Sequence, residues 1–85
     1  MNDKDLKRRA QALSPTVHVG KNGVADAAIA ELTRHLKQDK LVKVRLLPSA
    51  TDGGAGDKDQ AQALAAATKS RLIEVRGHTA VFWKA

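Results

Sequence analysis

The sequence predicts an α/β domain with the element order α-β-α-β-α-β-β and a mixed four-stranded sheet. Apolar residues recur with helical spacing in three segments and with strand spacing in four, and the two kinds alternate along the chain. Only the last two strands follow each other directly, across Gly77-His78, which predicts an antiparallel hairpin. Strands separated by a helix should instead run parallel, joined by right-handed crossovers.

Three segments have the periodicity of helices. The first covers about residues 3–12, with Asp3 as its predicted N-cap, and Ser14-Pro15 ends it because a residue before proline avoids the α region. The second covers about residues 25–38 and the third about residues 59–69. Their predicted inward stripes are Leu6, Ala10 and Leu13; Ala25, Ala28, Ile29, Leu32 and Leu36; and Ala61, Leu64, Ala65 and Thr68.

Four segments read as strands, over about residues 16–19, 41–47, 71–76 and 79–84. In the second strand, Val42, Val44 and Leu46 alternate with Lys43 and Arg45, so one side is apolar and the other basic. We therefore expect all three helices to pack on the apolar side and to leave the basic side uncovered. In the third strand, Ile73 and Val75 should share a face, and in the last strand Phe82 and Trp83 should lie on opposite faces.

Length and charge limit the class of protein. A chain of 85 residues predicts one domain over residues 1–85, and 15 Lys and Arg against nine Asp and Glu give a net charge of +6. A small basic domain favours a polyanionic partner, although a merely soluble basic surface has the same composition. There is no cysteine, no long apolar run and no secretory signal pattern, so we expect a cytoplasmic protein without a membrane partner.

Little in the sequence indicates catalysis. The three histidines are scattered, no cysteine accompanies them, and the two glutamates are far apart, so we expect no enzyme activity, no metal site and no cofactor. So short a chain also offers little room for a deep small-molecule pocket. The glycine-rich segment 49–58 lacks the spacing of a P-loop or a dinucleotide fingerprint and is predicted to be a plain loop.

One motif suggests a binding site for phosphate. A short strand ends at Val19, Gly20-Lys21-Asn22-Gly23 follows, and a helix begins just beyond. Glycines permit close approach to the backbone, and a helix N-terminus attracts anions, so a lysine at this corner could contact phosphate. The alternative is a tight turn with a solvated lysine, because so short a pattern also arises by accident.

The predicted sheet constrains how a nucleic acid could bind. Base-stacking RNA-binding sheets need several exposed aromatic residues, and this chain has only Phe82 and Trp83. A helix-turn-helix is also excluded, because each pair of helices is interrupted by a strand. Contacts should therefore be made mainly to the backbone and shape of the nucleic acid.

The sequence resembles the CRM domain (chloroplast RNA splicing and ribosome maturation), in particular its free-standing, YhbY-like members. The resemblance covers nearly the whole chain. It is carried by Leu6, Ala10, Leu13 and Pro15; Val17-x-Val19-Gly20-Lys21-Asn22-Gly23-Val24; Leu41-Val42-Lys43-Val44; Ala61, Leu64, Ala65 and Thr68; and Val75-x-Gly77-x-x-Ala80-Val81-Phe82-Trp83-Lys84.

The resemblance implies an RNA-binding domain with a fold similar to the C-terminal domain of translation initiation factor three. It implies that the partner is ribosomal RNA in precursors of the large ribosomal subunit and that the GKNG loop contacts RNA. The predicted RNA-binding residues are Gly20, Lys21, Asn22 and Gly23, with Lys7, Arg8, Lys43 and Arg45 widening the basic surface. We expect a monomer. A protein-interaction adaptor on the ribosome and a non-specific DNA binder remain the alternatives.

Overall fold

The chain folds into three helices and four strands in the predicted order. The computed structural model describes residues 2–19, 26–46 and 57–84. The elements are α1 (Asp3–Gln11), β1 (Val17–Val19), α2 (Asp26–Asp39), β2 (Leu41–Leu46), α3 (Asp57–Thr68), β3 (Arg71–Arg76) and β4 (Thr79–Trp83). The predicted α/β class is thus confirmed, while the glycine-rich loop lies mostly outside the described residues.

The four strands form one mixed sheet in the order β1-β2-β4-β3. β1 runs parallel to β2, as expected for strands joined through a helix, and β4 pairs antiparallel with both β2 and β3. The predicted hairpin is confirmed, and Gly77 takes a positive φ of 58° in its turn, a conformation that costs glycine little. Because β4 lies between β2 and β3, the hairpin's second strand is central and its first is at the edge.

Two helices and one face of the sheet enclose the larger of two apolar cores. The stripes predicted for α2 and α3 are confirmed at their centres, since Leu32, Leu36 and Leu64 are fully buried. They pack against alternate residues of the strands, among them Val44 and Phe82. We call this side of the sheet the large-core face.

α1 packs on the opposite side, so the expectation that all three helices share one face is wrong. Leu6 and Ala10 of α1 form a separate small core with Leu41, Ile73 and Val81, and Trp83 packs against its edge. Lys43 and Arg45 indicated that this side of β2 is not covered by a helix. The same side also carries Leu41, and Val81 of β4 lies on it as well, so it has an apolar part that α1 can cover. We call this side the α1 face.

An irregularity in β3 changes which of its residues share a face. The pairing with β4 shifts register between Leu72 and Glu74, as at a β-bulge. Ile73 consequently lies in the small core while Val75 packs against the large core, so the prediction that they share a face is wrong. In the part of β3 that follows the register shift, Glu74 and Arg76 both pair with β4 residues of the α1 face.

Both ends of α1 differ from their predicted form. Asn2, not Asp3, is the N-cap, and its side-chain oxygen accepts a hydrogen bond from the amide of Asp5 at 2.9 Å. Asp3 instead accepts a hydrogen bond from Arg71. The helix ends at Gln11, so Leu13 does not continue the buried stripe and is 39% exposed.

Candidate nucleic-acid interface

The end of the α1 face that α1 leaves uncovered carries a row of basic side chains. His18, Arg45 and Arg76 are exposed, and they lie on β1, β2 and β3. Pairing aligns them across the sheet, since His18 is opposite Arg45, and Thr79 of β4 is opposite both Arg45 and Arg76. We call these three exposed residues the basic row. With strands about 4.8 Å apart, the row extends roughly 14 Å across the sheet.

The next row along the sheet is more buried and has mixed charge. Lys43 pairs with Val81, which in turn pairs with Glu74. The Lys43 ammonium donates to the carbonyl of Leu13 at 3.5 Å, so this lysine is held beneath the segment that leaves α1. Lys43, Glu74 and Arg76 line one small cavity of about 30 Å³, where the carboxylate offsets part of the positive charge. The basic row is therefore more available to an anion than Lys43 is.

The two predicted cations of α1 occupy different sides of the helix. Leu6 and Ala10 face the sheet, so Arg8, midway between them, lies on the outer side. Lys7 shares a flank with Gln11, which lines the small cavity beside Arg76. Lys43 and Arg45 thus share the α1 face, Lys7 lies on the same flank of α1 as Gln11, and Arg8 lies on the outer surface of the helix.

The other flank of α1 borders an apolar groove of about 550 Å³. Leu13, Leu41 and Val42 supply much of its lining, and Leu13 is the one exposed large hydrophobic residue in the described part of the chain. Arg9, Lys43 and Asp39 also line it, so two positive charges and one negative charge border the apolar surface. The groove lacks the alignment of exposed basic residues across neighbouring strands that defines the basic row.

The four loop residues predicted to bind RNA, Gly20 to Gly23, lie outside the described residues. Their neighbour Val19 is fully buried in the large core and pairs with Leu46. His18 comes immediately before Val19 and belongs to the basic row. β1 therefore ends, at Val19, at the same end of the sheet as the basic row.

Sequence reasoning missed two members of the basic row, His18 and Arg76. For His18, the signal was its alternation with Val17 and Val19, both of which are buried. For Arg76, the signal was the tight turn at Gly77-His78, because a short hairpin fixes the pairing of Arg76 with Thr79. Pairing β4 with β2 then brings Arg76 and Arg45 onto one face, which only the strand order reveals.

The described residues contain neither a candidate metal site nor a membrane-spanning helix. Across residues 2–19, 26–46 and 57–84, no three His, Cys, Asp or Glu side chains are grouped so that they could hold a metal ion. None of the helices in those same ranges is long and apolar enough to cross a bilayer.

Fold and site together define a small α/β domain whose four-stranded sheet carries a cationic row at one uncovered end. The model of the CRS1 / YhbY (CRM) domain family matches residues 2–84. The chain belongs to this family, which confirms the resemblance found in the sequence.

Two relatives are described as RNA-binding proteins. The chain is 35% identical over 80 residues to "Probable RNA-binding protein YqeI" of Bacillus subtilis strain 168, across 93% of this chain and 79% of the relative. Its fold matches the solution structure of the hypothetical protein SAV1595 from Staphylococcus aureus, "a putative RNA binding protein", with a TM-score of 0.82. That match has 25% sequence identity and covers 98% of this chain and 83% of the other.

Proposed function

We propose that this protein binds structured RNA through the basic row and the adjoining GKNG segment. The observation that carries the proposal is the alignment of Arg45 and Arg76 with His18 on an uncovered sheet end, where β1 ends at Val19. Family membership and the RNA-binding descriptions of two relatives support the same function.

The chemistry of the row suits phosphate better than bases. Guanidinium groups donate paired hydrogen bonds to phosphate oxygens and remain charged at any physiological pH. The row contains no Phe, Tyr or Trp, and the imidazole of His18 is its one ring able to stack on a base. Recognition there therefore depends mainly on the spacing of phosphates and so on RNA shape. Gly20, Lys21, Asn22 and Gly23 would add backbone amides and one ammonium group.

The proposed RNA is ribosomal RNA in a precursor of the large ribosomal subunit, and binding there would serve ribosome assembly in the cytoplasm. This part of the proposal rests on the family resemblance of the GKNG motif. Sequencing RNA crosslinked to the protein in cells would test it. Reads concentrated in large-subunit precursor RNA are expected, whereas an even spread over cellular RNA would contradict the proposed target.

The row itself is tested by removing one arginine at a time. Arg45→Ala and Arg76→Ala should each weaken binding to a structured RNA and lower the slope of log K against log salt by about one. Arg34→Ala is the matched control, because it removes the same charge from an exposed position. Arg34 lies on α2, which packs on the large-core face, away from the basic row. An equal loss of affinity in all three variants would mean that affinity depends on the net charge of the protein and not on the basic row.

Lys21→Ala tests the glycine segment separately. It should also lower the salt slope by about one, because one phosphate contact is lost. Circular dichroism spectra and thermal melts of the variant control for folding. A slope identical to that of the unmodified protein would show that Lys21 does not contact phosphate. It would not contradict RNA binding by the basic row.

The apolar groove favours a second candidate function, that of an adaptor docking on a ribosomal protein. Leu13 is exposed at this groove, and a partner's apolar side chain could cover it. RNA affinity that falls steeply with salt supports RNA binding, whereas salt-insensitive binding to a protein without RNA affinity supports the adaptor. Competition by duplex DNA separates RNA binding from non-specific DNA binding.

A further inference from the structure

The opposite end of the sheet carries an open depression that is lined by an aromatic residue, a serine and three cations. Trp83, the chain's only tryptophan, lines it together with Lys69, Arg71 and Lys84, and its volume is about 640 Å³. β4 runs from Thr79 beside the basic row to Trp83 here, about 13 Å away along the strand. Leu6 and Ala10 of α1 cover the sheet between the two ends.

Trp83 is fixed in place but not enclosed. Its ring packs against the edge of the small core, and the residue keeps part of its surface accessible. Phe82, its neighbour in β4, is fully buried in the large core. The two aromatic residues therefore differ in role, since one only fills a core and the other also presents apolar surface to solvent.

Two of the cations that line the depression with Trp83 make hydrogen bonds within the protein. Arg71 donates to the Asp3 carboxylate at 3.0 Å, yet 63% of its side chain stays exposed, which leaves further N–H groups free to donate. Lys84 donates from its ammonium group to the carbonyl of Thr68 at 3.3 Å. Lys69 is exposed at the turn after α3, with a φ of 55°. Three cations thus line the depression with Trp83, and one of them, Arg71, is paired with a carboxylate.

An aromatic surface beside fixed cations is the combination that binds an unpaired nucleotide. Bases stack on tryptophan whatever their sequence, and the adjacent cations attract the phosphate. A base-paired nucleotide in the interior of a helix cannot use this site, because both of its faces are already stacked. A partner protein's apolar side chain would gain nothing from three flanking cations.

We propose that Trp83 stacks against one unpaired RNA base, whose phosphate is bound by Arg71 and Lys84. The inference rests on the proposed RNA-binding function and adds a second contact to it. The basic row would bind the phosphates of folded RNA, and the Trp83 site would bind a neighbouring single-stranded nucleotide. RNA with an unpaired segment beside a helix should therefore bind better than a fully paired RNA.

Intrinsic fluorescence gives a direct test, because all tryptophan emission comes from Trp83. An unlabelled single-stranded adenosine oligomer is titrated while emission is recorded, and an end-labelled copy reports binding by anisotropy in a parallel experiment. We expect emission to fall in proportion to the bound fraction. An abasic oligomer of equal length and charge should bind more weakly and leave the emission unchanged.

Substitution provides a second readout. Trp83→Leu should lower affinity for the adenosine oligomer about tenfold, whereas Trp83→Phe, which keeps an aromatic ring, should lower it ~2-fold. Affinity for a fully paired RNA should stay the same in both variants. Thermal melts establish that each variant folds, and if Trp83→Leu does not fold, the emission of the unmodified protein still decides the question.

The possible results separate this inference from the proposed function. Binding of the oligomer without a change in emission, or equal quenching by the abasic oligomer, would overturn the Trp83 site and leave RNA binding intact. Equal affinities of the Leu and Phe variants would overturn it as well. Failure of the protein to bind either oligomer or structured RNA would overturn both proposals.

Discussion

The two faces of the sheet differ in how completely helices cover them. On the large-core face, α2 and α3 lie side by side over four strands, and every inward residue of β1 and β2 is buried. On the α1 face, one helix of nine residues covers only the middle. A helix is about 10 Å wide and strands lie about 4.8 Å apart, so two helices suffice for four strands. α1 alone packs on Leu41, Ile73 and Val81 in the middle of the opposite face.

The difference explains where binding surfaces can form. A sheet face that two helices cover has no free positions, so its residues must be apolar. A face that one short helix covers keeps two uncovered ends, and here cations occupy both. The basic row lies at one end, and Trp83 with its cations lies at the other. Incomplete coverage costs buried area, but it leaves a rigid sheet surface available to a partner.

The largest effect is expected from the large core. Leu32→Ala should lower the free energy of unfolding by about 3 to 4 kcal/mol, because it leaves a cavity between α2 and the sheet that neighbours on all sides cannot fill. Urea denaturation measures the loss. Leu13→Ala is the control and should change stability by less than ~0.5 kcal/mol, because Leu13 is exposed.

A smaller loss is expected from the same substitution in the small core. Leu6→Ala should cost about 2 kcal/mol, although Leu6 is buried as completely as Leu32, because α1 is a helix of only nine residues that can shift on the sheet or detach from it. Hydrogen exchange should accelerate in α1 and stay slow in α2. Equal costs for the two leucines, with uniform exchange, would mean that the faces form one cooperative unit.

The smallest effect is expected from the ion pair at the start of α1. Arg71 and Asp3 are both substantially exposed, so a double-mutant cycle with Arg71→Gln and Asp3→Asn should give a coupling energy below ~1 kcal/mol. High salt should reduce it further. A coupling of several kcal/mol would show that this pair, rather than the small core, holds α1 on the sheet.

The sequence by itself determined the order of elements, the hairpin and the residues of the large core. These follow from local rules, because periodicity of 3.6 or 2 selects helix or strand and a two-residue turn fixes a hairpin. The stripe of α3, with Leu64 at its centre, is one example, and the alternation of Val42 and Val44 is another. The motif Gly20-Lys21-Asn22-Gly23 could also be found from sequence, although its contacts remain a prediction.

Only the tertiary structure decided which face α1 covers and which cations share a surface. A β2 strand with Lys43 and Arg45 on one side looks uncovered from its own residues, yet Leu41 on the same side packs against α1. The register shift in β3 moves Ile73 to the α1 face, and the insertion of β4 between β2 and β3 aligns Arg76 with Arg45. Such placements depend on pairing between distant segments, and the pattern within a single segment carries no information about its neighbours in space.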